Sequence, residues 1–128
     1  ELHFEHGTML WNEQSDLIYV LYNDPAQGYN AGPQWAAYPD EWTEGMPETD
    51  ESIQAPAGLK QPRRGFGLVW RTHEEVRLGL GWATDSESGY TQSVQSTARR
   101  VHNWLYITAR HEGTWALGPD GGAWHYIP

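Results

Sequence analysis

Apolar residues in this chain fall into short runs separated by polar, glycine-rich or proline-rich segments, and the runs come in two similar sets. Met9-Leu10-Trp11, a polar loop and Ile18-Tyr19-Val20-Leu21-Tyr22 form the first pair. Trp104-Leu105-Tyr106-Ile107, a polar loop and Thr114-Trp115-Ala116-Leu117 form the second, at nearly the same spacing. Each pair is followed by a turn and an aromatic run ending in proline: Trp35-Ala36-Ala37-Tyr38-Pro39 and Trp124-His125-Tyr126-Ile127-Pro128. Runs this short, rich in aromatic and β-branched residues and bounded by turn formers, predict strands. Their recurrence predicts a mainly β fold of two related three-stranded antiparallel units.

The turns carry their own signals. Pro119-Asp120-Gly121-Gly122 suits a type I′ hairpin turn, because Asp-Gly tolerates positive φ at both central positions. The corresponding turn of the first unit is enlarged to residues 23–33, rich in Gly, Asn and Pro. Such a loop is a place to graft function, and equally a neutral insertion. Between the units, the run from Gly65 to Asp85 alternates glycines with Leu68, Val69, Trp70, Val76, Leu78, Leu80 and Trp82. Its glycines weaken any long helix by about 1 kcal/mol each, so one or two short helical turns with glycines at their ends are expected.

One domain of 128 residues follows, with halves 1–44 and 63–128 joined by a connector at 45–62. The connector belongs to an acidic stretch with four prolines, residues 39–62, expected to run extended over the surface with Trp42 and Met46 pinning it.

The block Arg64-Gly65-Phe66-Gly67-x-Val69-Trp70-Arg71, followed by Val76-Arg77-x-x-Leu80-Gly81-Trp82-Ala83-Thr84, resembles a Trp-rich module found near the C-termini of secreted bacterial proteins. In that module a Phe-Glu-x-Gly-x-Met-Leu-Trp element and an Ile-Tyr-Val-Leu run come after Leu-Gly-Trp-Ala. Here the matching Phe4-Glu5-His6-Gly7-Thr8-Met9-Leu10-Trp11 and Ile18-Tyr19-Val20-Leu21 come first. The chain therefore reads as starting within one module and containing a full one after it, with a missing element that a neighbouring copy could supply. Its start at Glu1 reads as a processed protein or a fragment. More distantly, the pattern is similar to the LGFP repeat, which implies cell-envelope association rather than catalysis. The second hairpin, around Trp104, lacks the Phe-Glu-x-Gly signature.

Composition alters this picture in one respect. Ile, Leu, Val and Phe make up only about a sixth of the residues, which alone would point to disorder. Eight Trp and seven Tyr reverse that inference, since each large ring buries roughly 150–250 Å². Core packing accounts for most of the tryptophans. With no cysteine there is no disulfide or thiolate chemistry, and no run of about 18 apolar residues spans a membrane.

The net charge of −9 is unevenly spread. Residues 1–59 hold eleven acids and no Lys or Arg; residues 60–128 hold eight Lys or Arg against six acids. No basic patch dominates, which argues against nucleic acid as a partner. The asymmetry is either satisfied inside the fold or drives self-association between acidic 1–59 and basic 60–110.

Catalytic and metal chemistry find little support. His3-x-x-His6 on a strand points its rings to opposite faces, and no cysteine supplements it. Asp40, Glu41, Glu44, Glu48, Asp50 and Glu51 lack the spacing of a calcium loop. Glu5 and Glu112 are the nearest approach to a hydrolase pair, and Glu5 is better explained as serving its hairpin turn. Ser93 and Ser96 sit in a polar tract at 84–97 with no nucleophile elbow, a tract open to O-linked sugar; Gly65-Phe66-Gly67 lacks the Lys-Ser/Thr of a phosphate loop. No enzyme, metal or cofactor is expected.

Carbohydrate remains. Trp35, Tyr38 and Trp42 lie within eight residues, and Tyr29 and Asn30 sit on the enlarged loop before them. Rings stack on sugar faces while Asn and carboxylates bind hydroxyls. The expected function is a non-catalytic extracellular or cell-surface module that binds cell-wall or surface glycan. The alternative is a structural subunit assembling head to tail into a filament or surface layer.

Overall fold

The computed structural model describes residues 1–23, 31–32, 34–84, 98–108 and 113–128. Tyr29, Asn30 and all but the first residue of the 84–97 tract lie outside these. Among the described residues, nine strands and two α-helices occur in the order β1 (Leu2–Phe4), β2 (Gly7–Asn12), β3 (Leu17–Tyr22), β4 (Ala31–Gly32), β5 (Gln34–Pro39), α1 (Arg64–Thr72), α2 (Glu74–Leu80), β6 (Ala98–Val101), β7 (Trp104–Thr108), β8 (Thr114–Leu117) and β9 (Trp124–Ile127). The fold is mainly β and antiparallel, as the periodicity predicts.

All six expected strands form, but the sheets are larger than three-stranded. The first has the order β1-β2-β3-β5 and the second β4-β9-β8-β7-β6. Each contains a four-strand meander, since β1 precedes β2 and β6 precedes β7 through tight hairpins. Both extra strands are too short to stand out in an apolar pattern, and Ala98-Arg99-Arg100-Val101 is half charged. The second hairpin turns through His102 and Asn103, both at positive φ (51° and 68°). Asp120 and Gly121 likewise have φ of 57° and 70°. The Gly122 N–H donates to the Pro119 carbonyl at 3.1 Å, as the type I′ reading requires. The ninth strand is unexpected. β4, from the enlarged loop of the first unit, crosses to pair with β9, setting Gly32 opposite Trp124.

The first sheet is buried on both faces. Met9, Ile18 and Val20 point to one side, where they pack with Phe66, Val69, Trp70, Val76 and Leu80 of the helices. Leu10, Tyr19 and Leu21 point to the other, against Leu105, Ile107, Trp115, Leu117 and Trp124 of the second sheet. The stack is therefore helices, first sheet, second sheet. A strand with two apolar faces reads as a continuous apolar run, which is why Ile18–Leu21 shows no polar alternation.

Tryptophan does much of the filling and also the stapling. Trp70, Trp115 and Trp124 are all but inaccessible, and each indole N–H finds a distant acceptor. Trp115 donates to the Glu1 carboxylate at 3.0 Å and Trp124 to the Tyr22 carbonyl at 2.7 Å. Trp35 donates to the Gly118 carbonyl at 2.8 Å. All three bonds join the two sheets. Burying an indole without an acceptor costs about 1–3 kcal/mol, so these bonds let the rings fill the core without that penalty.

The glycines of the helical block act differently from expectation. Gly81 does cap α2, at φ 74°. Gly65 and Gly67, however, lie in the first turn of α1, where a Cβ would run into the Asp40 carboxylate and the Pro62 carbonyl. They allow the connector to lie directly on the helix. The connector is correspondingly more structured than an extended surface strand. The Gln61 side chain accepts from the Asp50 N–H at 2.8 Å and donates to the carbonyls of Asp50 and Ile53. Arg63 and Arg64 both pair with Glu48. Trp42 does pin it, donating to the Pro47 carbonyl at 3.2 Å. Met46 is partly exposed and holds only its own turn, its Sδ accepting from the Thr43 N–H at 3.3 Å.

Candidate functional site

Of the five residues singled out for sugar stacking, three lie among the described residues, and the fold does not bring them together. Trp35 and Tyr38 are three apart on β5, so they face opposite sides of the sheet. Trp35 stands opposite Leu21, packs into the inter-sheet core and lies 6.0 Å from the Tyr19 ring. Tyr38 stands opposite Ile18 on the helix side. Trp42 is half-buried with the Arg64 guanidinium 5.6 Å over its ring. Tyr29 and Asn30 fall outside the described residues.

Tyr38 belongs to a polar cluster. Its hydroxyl donates to Glu75 at 3.2 Å, and its ring sits 4.4 Å from His73. Burial pushes the Tyr38 phenol above its ordinary value, with the Glu75 charge adding to it. Burial does the same for Tyr22, further raised by Tyr38 and Glu75. In the unfolded chain both phenols ionise near pH 10. The folded state holds their protons more tightly. The stability they contribute is therefore complete below about pH 10 and is lost as pH rises beyond it. Unfolding by urea at stepped pH should show a decline setting in above about pH 10, and Tyr22→Phe with Tyr38→Phe should flatten that decline. An unchanged slope in the double variant would overturn the assignment.

A concave feature with convergent polar groups lies elsewhere, where the β1–β2 hairpin meets the end of α2. Glu5 and His6 form the hairpin turn, and their N–H groups donate to the carbonyls of Trp82 and Leu80 at 3.0 and 2.9 Å. The Glu5 carboxylate in turn accepts from the Trp82 N–H at 2.9 Å. Phe4 and Ala83 form a further bridge. Trp70 donates its indole N–H to the Gly81 carbonyl at 2.7 Å, and its ring lies 5.2 Å from that of Trp82. The Arg77 guanidinium sits 5.8 Å over the Trp70 ring. The sequence assigns Glu5 to its own hairpin turn, whereas its carboxylate bonds to a residue 77 positions away.

A cleft of about 350 Å³ opens at this junction, lined by Trp70, Trp82, Arg77, Leu78, Glu5 and His6, with Ile53 of the connector beside them. Leu78 is 70% exposed at its mouth, and Trp82 is half-buried. Glu5 is the only carboxylate among the described residues lining it. Among the described residues no group of three or more His, Asp or Glu converges on a metal position, and no helix is long and apolar enough to cross a membrane. Sequence reading assigned Trp70 and Trp82 to the core and Glu5 to a turn; Arg77 carried no signal of its own. The signal that could have found the cleft is the co-occurrence of Phe-Glu-x-Gly with Leu-Gly-Trp-Ala, the two elements that touch here.

The helices pack against the Phe4–Trp11 hairpin of their own chain. No family model, no curated protein and no solved structure matches the chain.

Proposed function

We propose that this protein is a non-catalytic module of the cell surface or extracellular space that binds glycan through the cleft between Glu5-His6 and Trp82. The observation that carries this reading is the placement of the half-buried Trp82 ring beside Arg77, Glu5 and His6 in one concavity. An indole face stacks on the apolar face of a sugar, and the guanidinium, carboxylate and imidazole reach its hydroxyls. The backbone clamp of Glu5 on Trp82 holds the ring before any ligand arrives, which lowers the ordering cost of binding.

Binding suits this cleft better than cleavage. Glycoside hydrolysis ordinarily uses two carboxylates flanking the bond, and the described lining supplies Glu5 alone. One oxygen of the Glu5 carboxylate is moreover taken up by the Trp82 N–H, leaving the other to a ligand hydroxyl. A volume of about 350 Å³ is near the lower end for ligand sites and accommodates roughly one sugar ring. Affinity for one ring is accordingly weak, on the order of 1 mM, and retention on a surface comes from many sites along a polymer. The matching order of β1-β2-β3-β5 and β6-β7-β8-β9 supports descent of the two meanders from one unit. Only the first retains the Phe-Glu-x-Gly hairpin that builds the cleft.

Depletion of the protein from solution by peptidoglycan sacculi, chitin, cellulose and xylan tests this. At least one polymer should retain it, and Trp82→Ala and Arg77→Met should each weaken retention about tenfold or more while circular dichroism stays unchanged. Retention by none of the polymers, or undiminished retention of both variants, would sink the proposal.

A further inference from the structure

The outer face of the second sheet is not used by the cleft. Alternation along β6, β7 and β9 places Arg99, Val101, Trp104, Tyr106, His125 and Ile127 on that side, opposite the buried Leu105, Ile107, Leu117 and Trp124. Register draws them into one patch: Arg99 stands across from Tyr106 and Val101 across from Trp104. The Trp104 ring lies nearly parallel to the His125 ring, at 18° and 5.8 Å. Val101 and Ile127 are 38% and 48% exposed. Both helices pack on the other sheet, so among the described residues this apolar face has no covering layer. A contiguous aromatic and aliphatic patch rimmed by charge marks an interaction surface.

Charge indicates what covers it. Within the described part of the second sheet, residues 98–108 and 113–128, the charged side chains are Arg99, Arg100 and Asp120, with His102 and His125 beside them. The acidic stretch 39–62 that contains the connector is the opposite: Glu41, Glu44 and Glu51 are exposed there, against Lys60 as its one Lys or Arg. The two regions lie on opposite sides of the first sheet, because the connector rests on α1 through Glu48 and Ile53 while the second sheet covers the other face.

We infer that the outer face of the second sheet docks the acidic connector of a second copy of this chain, so that copies associate head to tail. The complementary surface is on the same molecule, which is the reason to assign the occupant as another copy. The two patches differ and sit at opposite poles, so the contact is heterologous: one copy's free connector remains available to the next, and growth continues beyond a dimer. Fixed opposite charges at the rim steer the encounter and make it salt-dependent. The inference is independent of the glycan cleft, which lies at the α2 end of the first sheet.

Sedimentation velocity at about 0.02 M and about 0.5 M NaCl tests it. At low salt the average mass should rise with protein concentration past that of a dimer, and high salt should return it toward the monomer. Arg99→Glu, and separately the pair Glu41→Lys with Glu44→Lys, should each be monomeric at low salt. Both alter exposed side chains, and their thermal unfolding should match the parent. An equimolar mixture of the two variants should associate again past a dimer, because the unaltered acidic surface meets the unaltered face and the two reversed surfaces complement each other. Trp82→Ala should assemble as the parent does. A parent chain monomeric at low salt, an association that stops at two, variants that still associate, or a mixture that stays monomeric would each overturn the inference.

Discussion

Trp70→Ala is expected to destabilise the protein by about 3–5 kcal/mol. The ring is 1% exposed and sits between α1 and the first sheet, in the core that also holds Met9, Val20 and Leu80. Removing it opens a cavity that these neighbours, anchored on separate elements, fill only in part. It also deprives the Gly81 carbonyl of its donor, at 2.7 Å in the intact protein. A domain of this size has roughly 5–15 kcal/mol in all, so a fifth or more is at stake. Trp70→Phe separates the two contributions: most of the volume stays and the N–H is lost, for an expected cost of about 1–3 kcal/mol. Urea denaturation at neutral pH should show both midpoints falling at constant slope. A loss below about 1 kcal/mol for the alanine variant would mean that the helix layer is not held by this ring.

The second large effect is expected at Gly7. A Cβ there would be driven into the Leu21 carbonyl and the Leu80 side chain, well inside contact distance. The carbonyl is main chain in the adjacent strand, and Gly7 is the residue paired with Tyr22, so no rotamer change relieves the overlap. Gly7→Ala must separate β2 from β3 or lift the hairpin off α2. Either costs about 2–3 kcal/mol or more. The second route also breaks the Glu5–Trp82 clamp, since Glu5 and His6 reach Trp82 and Leu80 from that same hairpin. Thermal unfolding should show the loss, and retention on the glycan that binds the parent should fall with it at temperatures where the variant is folded. An alanine variant as stable as the parent would show that the hairpin does not approach α2 as closely as described.

These two residues illustrate how far sequence reasoning carries. Nothing local explains the glycine at position 7; the reason is a carbonyl fourteen residues on and a leucine from α2. Trp70 was assignable to the core by composition, whereas its role in holding the Gly81 turn, and through it Trp82, was not. The grouping of Trp35, Tyr38 and Trp42 failed for a definite reason. Closeness in sequence is not closeness on a surface when a strand alternates its faces, and β5 sends Trp35 into one core and Tyr38 toward the other.

What the sequence determined by itself is the set of strands β2, β3, β5, β7, β8 and β9, the Asp120-Gly121 turn, the helical character of the glycine-rich block and the separation of charge. These rest on short-range physics: side-chain alternation, the φ values a residue tolerates, and the count of ionised groups. Only the tertiary structure decided that the first sheet is covered on both faces, that β4 crosses to the second sheet, and that Glu5 closes on Trp82 to form a cleft. Those outcomes depend on which apolar faces bury each other across the whole chain. An apolar run carries no record of its partner, so that choice is made by packing.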